Sequence, residues 1–106
     1  MMKMPELRKA EELAADELGD PEVRQEYERT AFANAVAIRV IRYRADHGLS
    51  QSALARQLGM LQPAIARLEA GDHEPSLTML ARLARGLGIS FSVDITPTVL
   101  GLRDTA

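Results

Sequence analysis

Residues 51–69 read QSALARQLGMLQPAIARLE, and the placing of small and apolar residues along this stretch decides the architecture of the chain. Leu54, Leu58, Met60, Ile65 and Leu68 recur at spacings that bury one side of each of two short helices. Ala55 stands where those helices would cross, and Gly59 stands in the turn between them. A crossing residue must be small for the second helix to pass over the first. A glycine at the turn can take the positive φ that ends a helix at little cost. Bulk at either position is expected to force the helices apart.

Working outward, Ser50 is placed to accept hydrogen bonds from the first-turn amides of the helix that begins at Gln51. Leu49 and Leu54 occupy the two positions of a hydrophobic staple. Upstream, Phe32, Val36, Val40 and Tyr43 form a helical stripe that runs to a stop at His47-Gly48. Downstream, Gly71 ends the second helix, and Pro75-Ser76 opens another with Leu77, Leu80, Leu83, Ala84 and Leu87 expected to face inward. Gly88 closes it.

The two ends of the chain differ from this centre. Pro5–Leu18 sets Leu7, Ala10, Ala14 and Leu18 at near-helical spacing among charged residues, which predicts a narrow amphipathic helix ended by Gly19. Asp20-Pro21 is an N-cap followed by a first-turn proline, so a further helix starts there with Val23 and Tyr27 on one face. Periodicity leaves open whether that helix breaks near Thr30 or continues. After Gly88 the pattern alternates: Phe91, Val93 and Ile95 on one side, Ser92, Asp94 and Thr96 on the other, which predicts a strand limited by Pro97. A lone strand leaves backbone groups unpaired, and the same strand of a second copy is the expected partner. The predicted class is therefore an all-α bundle with an N-terminal helical extension and a short C-terminal β-strand that pairs in a dimer. Its divisions are an acidic helical segment over 1–30, a helical domain over 31–89, a dimerisation strand over 90–97 and a flexible tail over 98–106.

The formal net charge of −2 hides an uneven distribution. Residues 1–30 carry nine acids, Glu6, Glu11, Glu12, Asp16, Glu17, Asp20, Glu22, Glu26 and Glu28, against five bases, a net of −4. Across residues 31–90 the sign reverses: Arg39, Arg42, Arg44, Arg56, Arg67, Arg82 and Arg85 face four acids, a net of +3 compatible with phosphate binding. Two surfaces of opposite sign point to two kinds of partner.

Other classes find little support. There is no cysteine, and His47 and His73 are far apart, so neither disulfides nor a metal site is expected, and no cofactor. The first residues are charged rather than a leader with an apolar run, and no stretch is apolar enough to span a bilayer; a cytoplasmic protein away from membranes is expected. No nucleophile, base and acid constellation and no phosphate-cradling glycine loop occurs, which argues against an enzyme.

The run from Arg39 to Ile89, and LSQSALARQLGMLQPAIARLEAGDHEPSL above all, resembles the helix-turn-helix family typified by lambdoid phage repressors and Cro. That resemblance implies a lambda-repressor-like bundle that binds double-stranded operator DNA. It implies that Gln51 binds a phosphate and an adjacent base, while Gln62, Pro63, Ala66 and Arg67 face the major groove. Glutamine can pair with adenine and arginine with guanine through two hydrogen bonds each, which suits Gln62 and Arg67 to reading bases. Arg44 and Glu69 match a salt-bridged pair of similar repressors, a structural role shared with Ala55 and Gly59. Two departures stand out: Leu61 replaces the usual polar cap of the second helix, and Asp72 and Glu74 occupy a loop that is often basic.

The whole arrangement, an acidic segment containing GDPEVRQEYE, the helix-turn-helix and a strand ending in ITP, also resembles antitoxins of the HigA type. This second resemblance implies a cognate toxin, a small basic ribonuclease of the RelE and HigB kind, bound by the segment before the helix-turn-helix. Leu7, Glu11, Ala14, Leu18, Glu22, Val23 and Tyr27 are the candidate toxin contacts, and Phe91, Val93 and Ile95 the candidate homodimer contacts. The alternative is a stand-alone phage-type transcriptional regulator with no toxin partner.

Overall fold

In a computed structural model that describes residues 20–103, the chain enters on one long helix, α1, Pro21–His47. Asp20 accepts hydrogen bonds from the amides of Glu22 at 2.9 Å and Val23 at 3.4 Å, and Pro21 needs no amide partner in the first turn. The helix continues unbroken past Thr30, because no residue there costs it a backbone hydrogen bond. The boundary expected after residue 30 is thus a change of charge along one rod of about 40 Å. The expected amphipathic helix over Pro5–Leu18 lies outside the described residues.

Three shorter helices follow: α2, Gln51–Leu58, α3, Gln62–Ala70, and α4, Leu77–Leu87. Ser50 caps α2 through the Ala53 amide and Ser76 caps α4 through that of Met79, both at 3.0 Å. Buried Phe32, Val36 and Val40 from α1 meet Leu54, Ala55 and Leu58 from α2, Ile65 from α3, and Leu80, Leu83 and Leu87 from α4 in a single cluster. Helix α3 packs against α1 and α2, and α4 against α2. Leu77, expected inward, is 74% exposed. It is the first residue of α4 and overhangs the end of the core, beside Pro75, Ile95 and Leu100.

The expected C-terminal pairing is corrected by the structure. Strand β1, Ser92–Ile95, pairs antiparallel with β2, Leu100–Arg103, of the same chain, so this pairing does not call on a second copy. Residues 98–103, expected as the start of a flexible tail, form the rest of that hairpin. Pro97 does limit the first strand, but by taking the second position of a tight turn that its fixed φ suits. The Thr96 amide donates to the Val99 carbonyl at 2.8 Å and the Thr98 amide to Thr96 Oγ1 at 3.2 Å. The register sets Val93 against Leu102 and Ile95 against Leu100, so apolar residues share one face. Strand β2 packs on α1, while Asp94 and Arg103 pair on the other face at 2.5 Å.

Candidate nucleic-acid interface

Helices α2 and α3 are joined by the turn at Gly59, whose φ of 66° lies in the left-handed region where a side chain is strained. The Met60 amide donates to the Ala55 carbonyl at 2.8 Å, and Arg82 of α4 donates to the Gly59 carbonyl at 2.8 Å. Ala55 is buried in the core. The expectation that bulk at Gly59 forces the helices apart needs correction: a Cβ there would meet only Arg82, at an ordinary 3.6 Å, so backbone conformation, not space, requires the glycine. Space is the issue instead at Gly86 in α4, where a Cβ would overlap Leu58 of α2. No local pattern in the sequence marks that contact, because its partner is 28 residues away.

Along α3 the core side is Ile65, and Gln62, Pro63, Arg67 and Ala70 are exposed with Ala66 half-buried. The four residues expected to face a groove, Gln62, Pro63, Ala66 and Arg67, therefore share one side of a helix whose first turn is open. Ala70 continues that side by one turn, beyond the four expected residues, and its spacing of four from Ala66 is the signal for it in the sequence. Leu61 at the N-cap makes no side-chain cap bond and is 78% exposed, leaving first-turn amides of α3 without a side-chain partner.

Behind this face runs a chain of hydrogen bonds. Arg44 of α1 grips Glu69 of α3 with two donors, Nε to Oε2 at 2.5 Å and Nη2 to Oε1 at 2.7 Å, and gives a third to the Leu49 carbonyl at 3.0 Å. The same Glu69 Oε1 accepts from Gln51 Nε2 at 3.0 Å, and Gln51 Oε1 accepts from Gln62 Nε2 at 2.8 Å. The Arg44 hydrogen bonds hold the Glu69 carboxyl below its ordinary range against the opposing effect of burial, with Gln51 adding to the lowering. Arg44, Gln51, Gln62 and Glu69, far apart in the sequence, are thus brought into one contiguous network.

The basic residues divide by what holds them. Arg39 donates to the Ser90 carbonyl at 2.9 Å and lies 5.1 Å from the centre of the Phe91 ring, tying α1 to the start of the hairpin. Arg44 and Arg82 are also engaged, whereas Arg42, Arg56, Arg67 and Arg85 make no ion pair among the described residues. Asp72 and Glu74 are exposed in the loop after α3.

The remaining candidate contacts scatter. Glu22, Val23 and Tyr27 are exposed near the start of α1, while Leu7, Glu11, Ala14 and Leu18 lie outside the described residues. Phe91 and Val93 are half-buried against the chain's own core, and Ile95 is 72% exposed at the hairpin end. Among the described residues no cluster of His, Asp or Glu could hold a metal, and no helix is long and apolar enough to cross a membrane.

Comparison with known proteins bears on the same region. The helix-turn-helix family matches residues 40–93. The chain is 38% identical over 47 residues to an uncharacterized HTH-type transcriptional regulator of Methanocaldococcus jannaschii, covering 44% of this chain and 71% of that one. It is 40% identical over 53 residues to another from Methanothermobacter thermautotrophicus, covering 50% and 77%. Among solved structures it is similar to an HTH_3 family transcriptional regulator from Vibrio cholerae, with a TM-score of 0.54 and 27% identity over 58% of this chain and 35% of that one. It is also similar to a hypothetical transcription factor from Neisseria, with a TM-score of 0.50 and 26% identity over 61% and 70%. With its two central helices, their glycine turn and the exposed side of α3 all inside the matched span, the chain belongs to the XRE-type helix-turn-helix family of DNA-binding transcriptional regulators.

Proposed function

We propose that this chain binds operator DNA as a homodimer, with α3 in the major groove, and so represses transcription. Gln62 and Arg67 read bases, Pro63 and Ala66 lie against the groove, and Gln51 meets a phosphate at the start of α2. The observation that carries this reading is the common exposed side of Gln62, Pro63, Ala66 and Arg67 on a helix fixed at its back by Ile65 and Glu69. Two recognition helices must meet DNA about 34 Å apart, which is why a dimer is part of the proposal. Exposed Leu77, Ile95 and Val99 offer apolar surface for it. The test is a set of binding isotherms for Gln62→Ala and Arg67→Ala on a panel of duplexes. Each loses about 1–3 kcal/mol with altered preference at one base pair per half-site. An equal loss on every duplex would instead make both residues phosphate contacts.

The fuller reading is an antitoxin that also neutralises a small basic ribonuclease through the segment before the helix-turn-helix. Its support within the described residues is the exposed pair Val23 and Tyr27, the latter 53% exposed, beside Glu22 and Glu26. Val23→Asp with Tyr27→Asp should abolish co-purification with a small basic protein encoded beside this one and leave DNA binding intact. Undiminished co-purification would contradict that contact. If no such protein associates, the chain is a stand-alone regulator.

A further inference from the structure

We propose that Glu69 is a positioning residue for base recognition: acting through Gln51, it fixes which end of the Gln62 amide faces the DNA and so favours adenine over guanine at one position of each half-site. The role presupposes that α3 is the base-reading helix, as proposed above, and adds to it the direction in which one reader points.

A carboxylate only accepts hydrogen bonds, whereas a glutamine amide has a donating and an accepting end. Glu69 cannot turn away, since Arg44 holds both its oxygens, at 2.5 and 2.7 Å. Its Oε1 takes the amide nitrogen of Gln51 at 3.0 Å, which leaves the Gln51 carbonyl for Gln62. Gln62 must then offer its own nitrogen, at 2.8 Å. One N–H and the carbonyl of Gln62 remain for DNA, a donor beside an acceptor, the complement of adenine N7 and its 6-amino group. The opposite polarity would turn the Gln62 carbonyl toward Gln51 and present two N–H donors, the complement of guanine N7 and O6. With Gln51 in place, that arrangement sets the Gln62 carbonyl against the Gln51 carbonyl, and turning Gln51 to relieve it sets the Gln51 carbonyl against the Glu69 carboxylate, so acceptor meets acceptor either way.

The variant that removes the direction without removing the side chain is Glu69→Gln, since an amide at 69 can meet either end of Gln51. Gln51→Met cuts the chain while leaving the Arg44 and Glu69 pair in place, so the question stays answerable if the first variant folds poorly. Duplexes selected from a randomised pool by the full parent chain serve as probes, each with the A·T pair of interest exchanged for G·C. The ratio of the two dissociation constants is the readout, because a merely structural loss weakens both duplexes alike. The parent prefers adenine at the position whose preference Gln62→Ala erases. Glu69→Gln and Gln51→Met each lower that preference by about fivefold or more, and the double variant lowers it no further than either alone. An unchanged ratio in both variants, with Gln62→Ala still erasing the preference, overturns the role of Glu69 and leaves α3 as the reader. No effect of Gln62→Ala on any ratio overturns the reading of α3 and the role of Glu69 together.

Discussion

The helix-turn-helix and the C-terminal hairpin are built on different principles, although both lie against α1. Helices α2 and α3 contribute Leu54, Ala55, Leu58 and Ile65, all buried, while Arg44 of α1 holds α3 and Arg82 of α4 holds the turn between the two helices. The hairpin contributes no fully buried residue; Phe91, Val93, Leu100 and Leu102 cover the core from outside, and Arg39 tethers its entry. The exposed side of α3 is thus backed by buried packing and charged hydrogen bonds, whereas the hairpin is a half-buried cover over the core.

Substitutions should reproduce that gradient. Ile65→Ala, which empties a fully buried site at the centre of the helix-turn-helix, should cost about 2–5 kcal/mol in chemical denaturation. A loss no greater than that of a surface alanine would show the unit to be looser than described. Gly59→Ala should cost about 1–2 kcal/mol through its positive φ alone, since the space for a methyl group is present. Thermal melts that show no loss would mean the turn relaxes to another conformation. In the hairpin, Val93→Ala should cost about 1 kcal/mol, in keeping with a half-buried side chain, and leave the helical circular dichroism unchanged.

The charged links are expected to matter less and to depend on pH. Because the Glu69 carboxyl is held below its unfolded range, its stabilisation is fully present above the ordinary carboxylate pKa and is lost as pH falls through the lowered folded value. Parent and Glu69→Gln should therefore differ in melting temperature near neutrality and converge in acid. A gap that persists unchanged in acid would place the effect elsewhere. The smallest effect belongs to the hairpin: Arg103→Ala removes a solvent-exposed pair with Asp94 and should leave the melting temperature within error.

What the sequence discloses follows the same division. Leu54, Ile65 and the Ser50 cap obey helical periods and local capping rules, so short windows reveal them, and the exposed side of α3 follows from the same period. The contact of Gly86 with Leu58 and the hydrogen bond from Gln51 to Glu69 join separate elements, and no local pattern encodes them. The hairpin lies between these cases. Thr96-Pro97-Thr98 is a turn signal and Leu100 and Leu102 alternate after it, but two apolar residues are a short pattern, and a second copy of the first strand would satisfy the same backbone groups. Leu77 shows that a residue in phase with the core can still fall beyond its end.

The central claim is that α2 and α3 present the DNA-binding face while the hairpin stands away from it. Amide chemical shifts followed as the isotopically labelled chain is titrated with a duplex selected from a randomised pool test this most directly. The largest changes should fall on Ser50–Ala53 and on Leu61–Arg67, with Ser92–Ile95 and Leu100–Arg103 changing little by comparison. Changes concentrated in the hairpin or on the exposed Ile38 and Ile41 of α1, with α3 unaffected, would contradict the account.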